Sequence, residues 1–354
     1  MGTVAIRADA SLQIGTGHVM RCLTLARALR DAGHEVLFIS RLLDGNFCDY
    51  IEGQGFSVAR LPHPSDAEST PDWLGLSWET DARQTEAALG SALHSIAWLI
   101  VDHYCLDARW ERTLRAKVEH ILAIDDLADR PHDCDLLLDQ NLGRNAMDYS
   151  GLVPRDSQIM AGPRYALLRP EFAQWRERSL SRSRWPLSRI LISMGGVDKD
   201  NATRAVLNVL ENLPKTASAE IEVIMGQHNP WLEQVKIQAS QMHRATVHVN
   251  VGNMAERMAN SDLAIGAAGA SSWERCCLGL PTLTIILAEN QRPGAYAMDA
   301  SGVQLTIGTQ DQIALRLAEK LNGLDRQTMD NMSQNSRAVV DGLGVQRVAE
   351  AMHA

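Results

Sequence analysis

The chain lacks most of the features that would assign it at a glance. Its six cysteines (Cys22, Cys48, Cys105, Cys134, Cys276 and Cys277) include no CxxC pair. A zinc ribbon and a thioredoxin-type motif are therefore excluded, and most of these thiols lie in apolar runs, as expected of buried, reduced packing residues. No metal site is expected. No apolar run approaches the length of a membrane span. The N-terminus enters a strand with no basic segment and apolar stretch before it, so no secretory leader is expected. Basic residues are outnumbered, 34 Lys and Arg against 43 Asp and Glu, for a net charge of −9. That balance argues against a nucleic-acid surface. No short-period repeat is present. What remains is a soluble, cytoplasmic protein that handles a small molecule, without nucleic acid or membrane as partner. An anion is still admissible, because local backbone N–H groups can hold one despite the global charge.

The chain has 354 residues, 45% of them hydrophobic, enough for two domains. Its organising stretch is Val4 to Asp31. The apolar run Val4-Ala5-Ile6 leads through a polar turn to Gly15-Thr16-Gly17 and His18. Apolar residues then recur at helical spacing: Val19, Cys22, Leu23, Ala26 and Leu29. This is a strand, a glycine loop and a helix, the first half of a βαβ unit. Gly15 and Gly17 allow a ligand to approach the backbone, and His18 stands at the helix start beside it. The dinucleotide fingerprint GxGxxG is not met, since Met20 occupies the position of its third glycine.

Strand and helix alternate along the rest of the chain. Strands are expected at Val36–Ser40, Trp98–Asp102, Ile121–Ile124, Cys134–Leu138, Ile190–Ser193, Ile221–Met225, Val247–Val251, Leu263–Ile265 and Pro281–Leu287. Helices are expected at 44–54, 78–93, 110–119 and 201–213. The stretches 62–76 and 141–169 read as loop or irregular chain, and the last forty residues as mostly helical. The predicted class is α/β, with two Rossmann-like, doubly wound parallel-sheet domains and a cleft between them. The expected division is a first domain over 1–170, a helix and linker between domains over 171–188, a second domain over 189–335 and a helical tail over 336–354.

Polar groups gather at the carboxyl ends of the strands, where open α/β sheets bind ligands. In the second half, Gly195-Gly196 follows one strand, and the segment Gly266 to Ser272 follows another and opens a helix. Small residues and the hydroxyls of Ser271 and Ser272 suit a phosphate there, although each turn alone also reads as a plain strand-to-helix connection. Glu274 is either a carboxylate favoured by the first turn of its helix or a bidentate acceptor for two ribose hydroxyls. Asp9, at the end of the first strand, could cap a turn, orient His18 or hold a sugar hydroxyl. Tyr104 could contact sugar or water, or be a half-buried core ring, and His103 should face the other way, because adjacent strand residues alternate.

These motifs, in this order, resemble the MurG-like group of nucleotide-sugar enzymes. Within it they are most similar to the UDP-2,4-diacetamido-2,4,6-trideoxy-β-L-altropyranose hydrolases of pseudaminic acid synthesis. The resemblance is carried by IRADASLQIGTGHVMRCLTLA near the start, IVDHY at 100–104, DYSGLVP at 148–154, GPRYALLRPEF at 162–172, SMGGVDKDN at 193–201 and GAAGASSWE at 266–274. The chain departs from shorter members in a longer loop at 62–78 and an extended tail. The resemblance implies hydrolysis of a UDP-sugar with inversion, with no metal or other cofactor and His18 as the base. It also implies that the backbone at Asn253 and Met254 reads the uracil edge, and that Asn290 and Gln291 lie near the diphosphate. A MurG-like glycosyltransferase, a UDP-sugar 2-epimerase and a non-catalytic nucleotide-sugar sensor are the competing readings.

Overall fold

The computed structural model describes residues 2–64, 72–90, 95–196, 198–227 and 229–353. Val197 and parts of the expected loop 62–76 and helix 78–93 lie outside the described residues. The chain divides into two compact units, residues 1–167 with 344–354, and residues 168–343.

The first unit holds β1 (Thr3–Ala8), β2 (Glu35–Arg41), β3 (Ser57–Leu61), β4 (Ile96–Asp102), β5 (Val118–Ile124), β6 (Leu136–Asp139) and β7 (Gln158–Ala161). They form one sheet in the order β3-β2-β1-β4-β5-β6-β7, parallel throughout. The second unit holds β8 (Arg189–Ser193), β9 (Glu220–Met225), β10 (Ala245–Val249), β11 (Leu263–Ala267), β12 (Thr282–Ile286) and β13 (Leu305–Thr309). Its sheet runs β10-β9-β8-β11-β12-β13, also parallel. Both sheets are therefore doubly wound about their first strand, and each has one switch point, between β1 and β4 and between β8 and β11.

Parallel strands covered on both faces need apolar side chains on both, which is why the central runs are continuous. In β4, Trp98 and Ile100 join the core beneath helix Gly17–Asp31, with Val19, Leu23 and Leu29. Leu99 and Val101 turn to the opposite core with Trp110 and Leu114. A third core of 26 buried residues fills the second unit.

Several expectations shift. Residues 171–188 are not a free linker. Pro170–Leu180 is a helix within the second unit, and Arg176 ties it to the carbonyls of Cys277, Val340 and Arg337. The expected tail is split. Helix Gly344–Ala351 belongs to the first unit, where Val345 and Val348 join the core under helix Gly17–Asp31. The stretch 141–169 contains β7, and residues 118–119, expected in a helix, begin β5. All six cysteines are free, and only Cys105 is not fully buried. Among the described residues no helix is long and apolar enough to cross a membrane.

Candidate active site

His18 stands in the first turn of helix Gly17–Asp31, directly after the chain leaves β1. Gly15 has φ +78°, a left-handed conformation that favours glycine, and a Cβ on Gly17 would meet nothing within 4 Å. The register sets Ala8 of β1 beside Asp102 of β4, so the first helical turn comes to lie over the end of β4. His18 and Arg21 are three residues apart and share one helix face. Both reach Asp102. His18 Nδ1 is 2.6 Å from Asp102 Oδ1, while Arg21 donates from Nε to Oδ2 at 2.6 Å and from Nη2 to Oδ1 at 2.7 Å. Asp102 has no exposed side-chain surface. Burial alone would raise its carboxyl, but the guanidinium of Arg21 and then His18 hold it well below the usual carboxylate range. An ionised Asp102 can only accept, so Nδ1 of His18 carries the hydrogen, and in the neutral ring the lone pair is on Nε2.

Arg21 continues to Asp126 at 2.8 Å, and Asp126 accepts from the Tyr104 hydroxyl at 2.8 Å. Burial and then the Asp126 charge push the Tyr104 phenol up, so it remains a donor. The Tyr104 ring lies edge-on to His18, with centroids 4.7 Å apart. Trp73 stacks on Tyr104 at 5.3 Å and 28°, completing an aromatic corner around the imidazole.

Asp9 does not orient His18. It accepts from Arg7 Nη1 at 2.6 Å, Arg7 Nη2 at 2.8 Å and the backbone N–H of Arg41 at 2.7 Å. Arg7 and Arg41 also hold Asp81, at 2.7 and 2.6 Å, so two cations and two anions compensate one another without solvent. The reason is positional: Asp9 ends β1 on the side of β2 and Arg41, whereas Asp102 ends β4 on the side of the helix start. His103 turns to that second cluster, its Nε2 3.7 Å from Asp9, and burial pulls its imidazole down to about 4, so it is neutral at pH 7.

In the second unit, Gly195-Gly196 follows β8, and Gly266–Ser272 runs from the end of β11 into the next helix, on adjacent strands at the switch point. Gly195 has φ +84°. Ser271 and Ser272 accept from Arg275, at 3.0 and 2.9 Å. Gln291 reaches the same turn: a Cβ on Gly269 would stand 3.8 Å from its amide nitrogen. Asn290 is exposed next to it. Glu274 is pushed up by burial and pairs with Arg169 at 3.5 Å. Asn253 is exposed before helix Met254–Asn260, its side chain engaged with Glu256 and Arg257. The first unit thus holds His18 and Tyr104 at its switch point; in the second, Gly195, Gly196, Ser271 and Ser272 lie at the switch point, whereas Asn253 and Met254 follow edge strand β10 and Asn290 follows β12.

Residues 189–352 match the profile of the glycosyltransferase family 28 C-terminal domain. The chain is 28% identical over 303 residues to the UDP-2,4-diacetamido-2,4,6-trideoxy-β-L-altropyranose hydrolase of Campylobacter jejuni, a match covering 85% of this chain and 98% of that one. Among solved structures it is similar to MurG of Acinetobacter baumannii, with a TM-score of 0.68 at 14% identity over 100% of this chain and 99% of that one. It is also similar to LpCGTa, solved in complex with UDP, with a TM-score of 0.65 at 15% identity over the same shares. The fold is therefore GT-B-like, and the resemblance to the hydrolases read from the motif order extends over most of the chain.

Sequence reasoning missed Asp102, Arg21, Asp126, Trp73 and Arg275. Asp102 had a signal, an acid closing an otherwise apolar buried run. Arg21 had one too, three residues from His18. Trp73 had none, since it sits in a loop rich in proline and serine.

Proposed function

We propose that this chain is a nucleotide-sugar hydrolase that cleaves a UDP-sugar into UDP and the free sugar. The observation that carries the reading is the His18–Asp102 pair, 2.6 Å apart, in a chain 28% identical to a UDP-sugar hydrolase. With Nδ1–H held by Asp102, His18 Nε2 takes a proton from a water molecule. The water oxygen bonds to the anomeric carbon as the bond from that carbon to the diphosphate oxygen breaks. UDP leaves with the electron pair, and attack from the opposite face inverts the anomeric centre. Asp102 stabilises the imidazolium that forms. Tyr104 and the glycines Gly15 and Gly17 face the sugar or the water. UDP is a good leaving group, so the reaction needs neither a metal nor a strong general acid.

In this reading the second unit holds the nucleotide. Gly195, Gly196, Ser271 and Ser272 take the diphosphate, with Asn290 and Gln291 beside it. Glu274 takes the ribose hydroxyls, and the backbone at Asn253 and Met254 reads uracil. The substrate is UDP-2,4-diacetamido-2,4,6-trideoxy-β-L-altropyranose, and the reaction belongs to cytoplasmic pseudaminic acid synthesis.

The test is UDP release from a set of UDP-sugars with no acceptor present, with NMR reporting the anomer formed. Release of UDP and the inverted free sugar supports the reading. An absolute requirement for an acceptor replaces it with a glycosyltransferase, the reading that the likeness to MurG favours. A sugar altered at carbon 2 replaces it with an epimerase.

A further inference from the structure

Arg275 is 2% exposed, yet no carboxylate pairs with it among the described residues. The charge of the adjacent Glu274 acts on it from beyond ion-pair distance, but Glu274 makes its ion pair with Arg169. Lying three and four residues beyond Ser272 and Ser271, it shares their helix face and reaches back toward the turn. Nη1 donates to Ser271 Oγ at 3.0 Å, and Nη2 donates to Ser272 Oγ at 2.9 Å and to the Ala267 carbonyl at 2.8 Å. Nε is buried without a partner. The turn is shaped around this group: a Cβ on Gly266 would stand 2.8 Å from Nη1. Burial pulls the guanidinium down to about 10, so it is still charged at neutral pH. A buried charge without a counter-charge is costly to maintain.

The same unit contains a useful contrast. Arg184 is also buried without a carboxylate, and burial also pulls it down to about 10. It donates to the carbonyls of Ser261, Ser179 and Leu278 and to Ser179 Oγ, joining three segments of chain. That is a staple. Arg275 instead spends two of its donors on hydroxyls of the turn that leaves β11. A hydroxyl has one proton and two lone pairs, so a serine that accepts from a guanidinium still has its own O–H to donate.

We infer that Arg275 is a positioning residue of the nucleotide site: it holds Ser271 and Ser272 with their hydroxyl protons free to donate to a diphosphate, and the diphosphate supplies the close counter-charge that Glu274, paired with Arg169, does not. The inference rests on the UDP reading and adds to it the residue that makes the turn selective for a charged ligand. The consequence is specific. Arg275 contributes to the affinity for the diphosphate and not to that for the nucleoside.

The test is calorimetric titration with UDP, and displacement by uridine, for the natural protein and for R275Q, R275K and R184K, with melting temperatures recorded for each. R275Q is expected to weaken UDP binding about tenfold or more while uridine binding moves less than about twofold. R275K keeps the charge but loses the planar fork, and is expected to lie between the two. R184K is expected to lower the melting temperature and leave the UDP-to-uridine ratio unchanged. If R275Q and R275K lower UDP and uridine affinity in parallel, or change neither, Arg275 is a second staple and the inference is overturned. Failure of the natural protein itself to bind UDP removes the underlying nucleotide reading before any variant is compared.

Discussion

The two switch points differ in how they treat charge. Between β1 and β4, nearly every charged group has found its partner within the unit. Asp102 is shared by His18 and Arg21, Asp126 by Arg21 and Tyr104, and Arg7, Arg41, Asp9 and Asp81 form a closed set. Between β8 and β11 the turns offer glycine, alanine and serine, with Asp198 turned to the backbone of the helix that follows β8, and among the described residues the Arg275 guanidinium behind them makes no ion pair. A group that must hold one tautomer through a reaction benefits from rigid, pre-paired surroundings. A site that must attract an anion benefits from charge left unanswered. The same topology supports both, because the strand ends set position and the loops set chemistry.

The largest expected effect breaks the first side of the comparison. His18→Ala should reduce turnover of the UDP-sugar by about a hundredfold or more and leave UDP affinity within about twofold. Steady-state rates together with UDP titration check it, and a variant retaining more than about a tenth of the rate would remove His18 from the role of base. Next comes Asp102→Asn, which leaves shape intact but no longer dictates which ring nitrogen holds the proton. A loss of about tenfold or more in kcat with little change in KM is expected. Asp102→Ala should in addition destabilise the unit by about 1–3 kcal/mol, because it leaves buried donors of Arg21 unsatisfied while Asp126 still pairs its charge. Unchanged kcat in Asp102→Asn would reduce the carboxylate to a structural partner of Arg21.

The third prediction moves to the second side. Glu274→Gln keeps the size of the side chain and removes its charge. If Glu274 takes the ribose, UDP affinity should fall about tenfold and 2′-deoxy-UDP should lose its disadvantage. If the carboxylate serves only Arg169, both nucleotides should bind as before and only the melting temperature should fall.

How far the sequence disclosed this arrangement depended on depth in the sheet. The central strands β1, β4, β8 and β11 were legible because burial on both faces demands continuous apolar runs. The strands that escaped altogether are all edges: β3, β7 and β13 were not read, while the starts of β4, β5, β6 and β10 slipped by two or three residues. An edge strand keeps polar and charged residues, as in Ser57-Val58-Ala59-Arg60-Leu61, and its pattern fades into loop. The site divides in the same way. His18 and the glycine turns announced themselves, because their residue types are unusual where they stand. Of their partners, Arg21 shares a helix face with His18, but Asp102 and Asp126 come from elsewhere in the chain and meet them only through strand order, which no local pattern encodes. Asp9 was the nearest acid in sequence, and proximity along the chain was the wrong guide.

The smallest effect concerns a less neatly paired place in the first unit, at the ends of β5 and β6. The Tyr149 hydroxyl lies 3.0 Å from Asp125 and 2.8 Å from Asp139, yet it has a single proton to give. Asp125 keeps its charge: burial would raise it, but Arg130 at 2.7 Å lowers it. Asp139 is pushed up to about 6 by burial first, with the nearby charge of Asp126 adding to it. Below that value Asp139 holds a proton that it can donate to Tyr149, and Tyr149 donates onward to Asp125. A carboxyl raised in the folded state above its unfolded value, near 3.9, contributes stability that is complete below about pH 4 and lost as pH rises through about 6. Asp139→Asn makes the donor permanent. It should therefore stabilise the protein at pH 8 by about 1 kcal/mol, within a ceiling of about 3 kcal/mol set by two pKa units, and change stability much less at pH 4. Denaturant unfolding at the two pH values reads the difference. Equal destabilisation at both would mean that the carboxylate is needed for Arg144 and the Asn141 N–H, which it also accepts at 3.3 and 2.8 Å, more than its proton is needed by Tyr149.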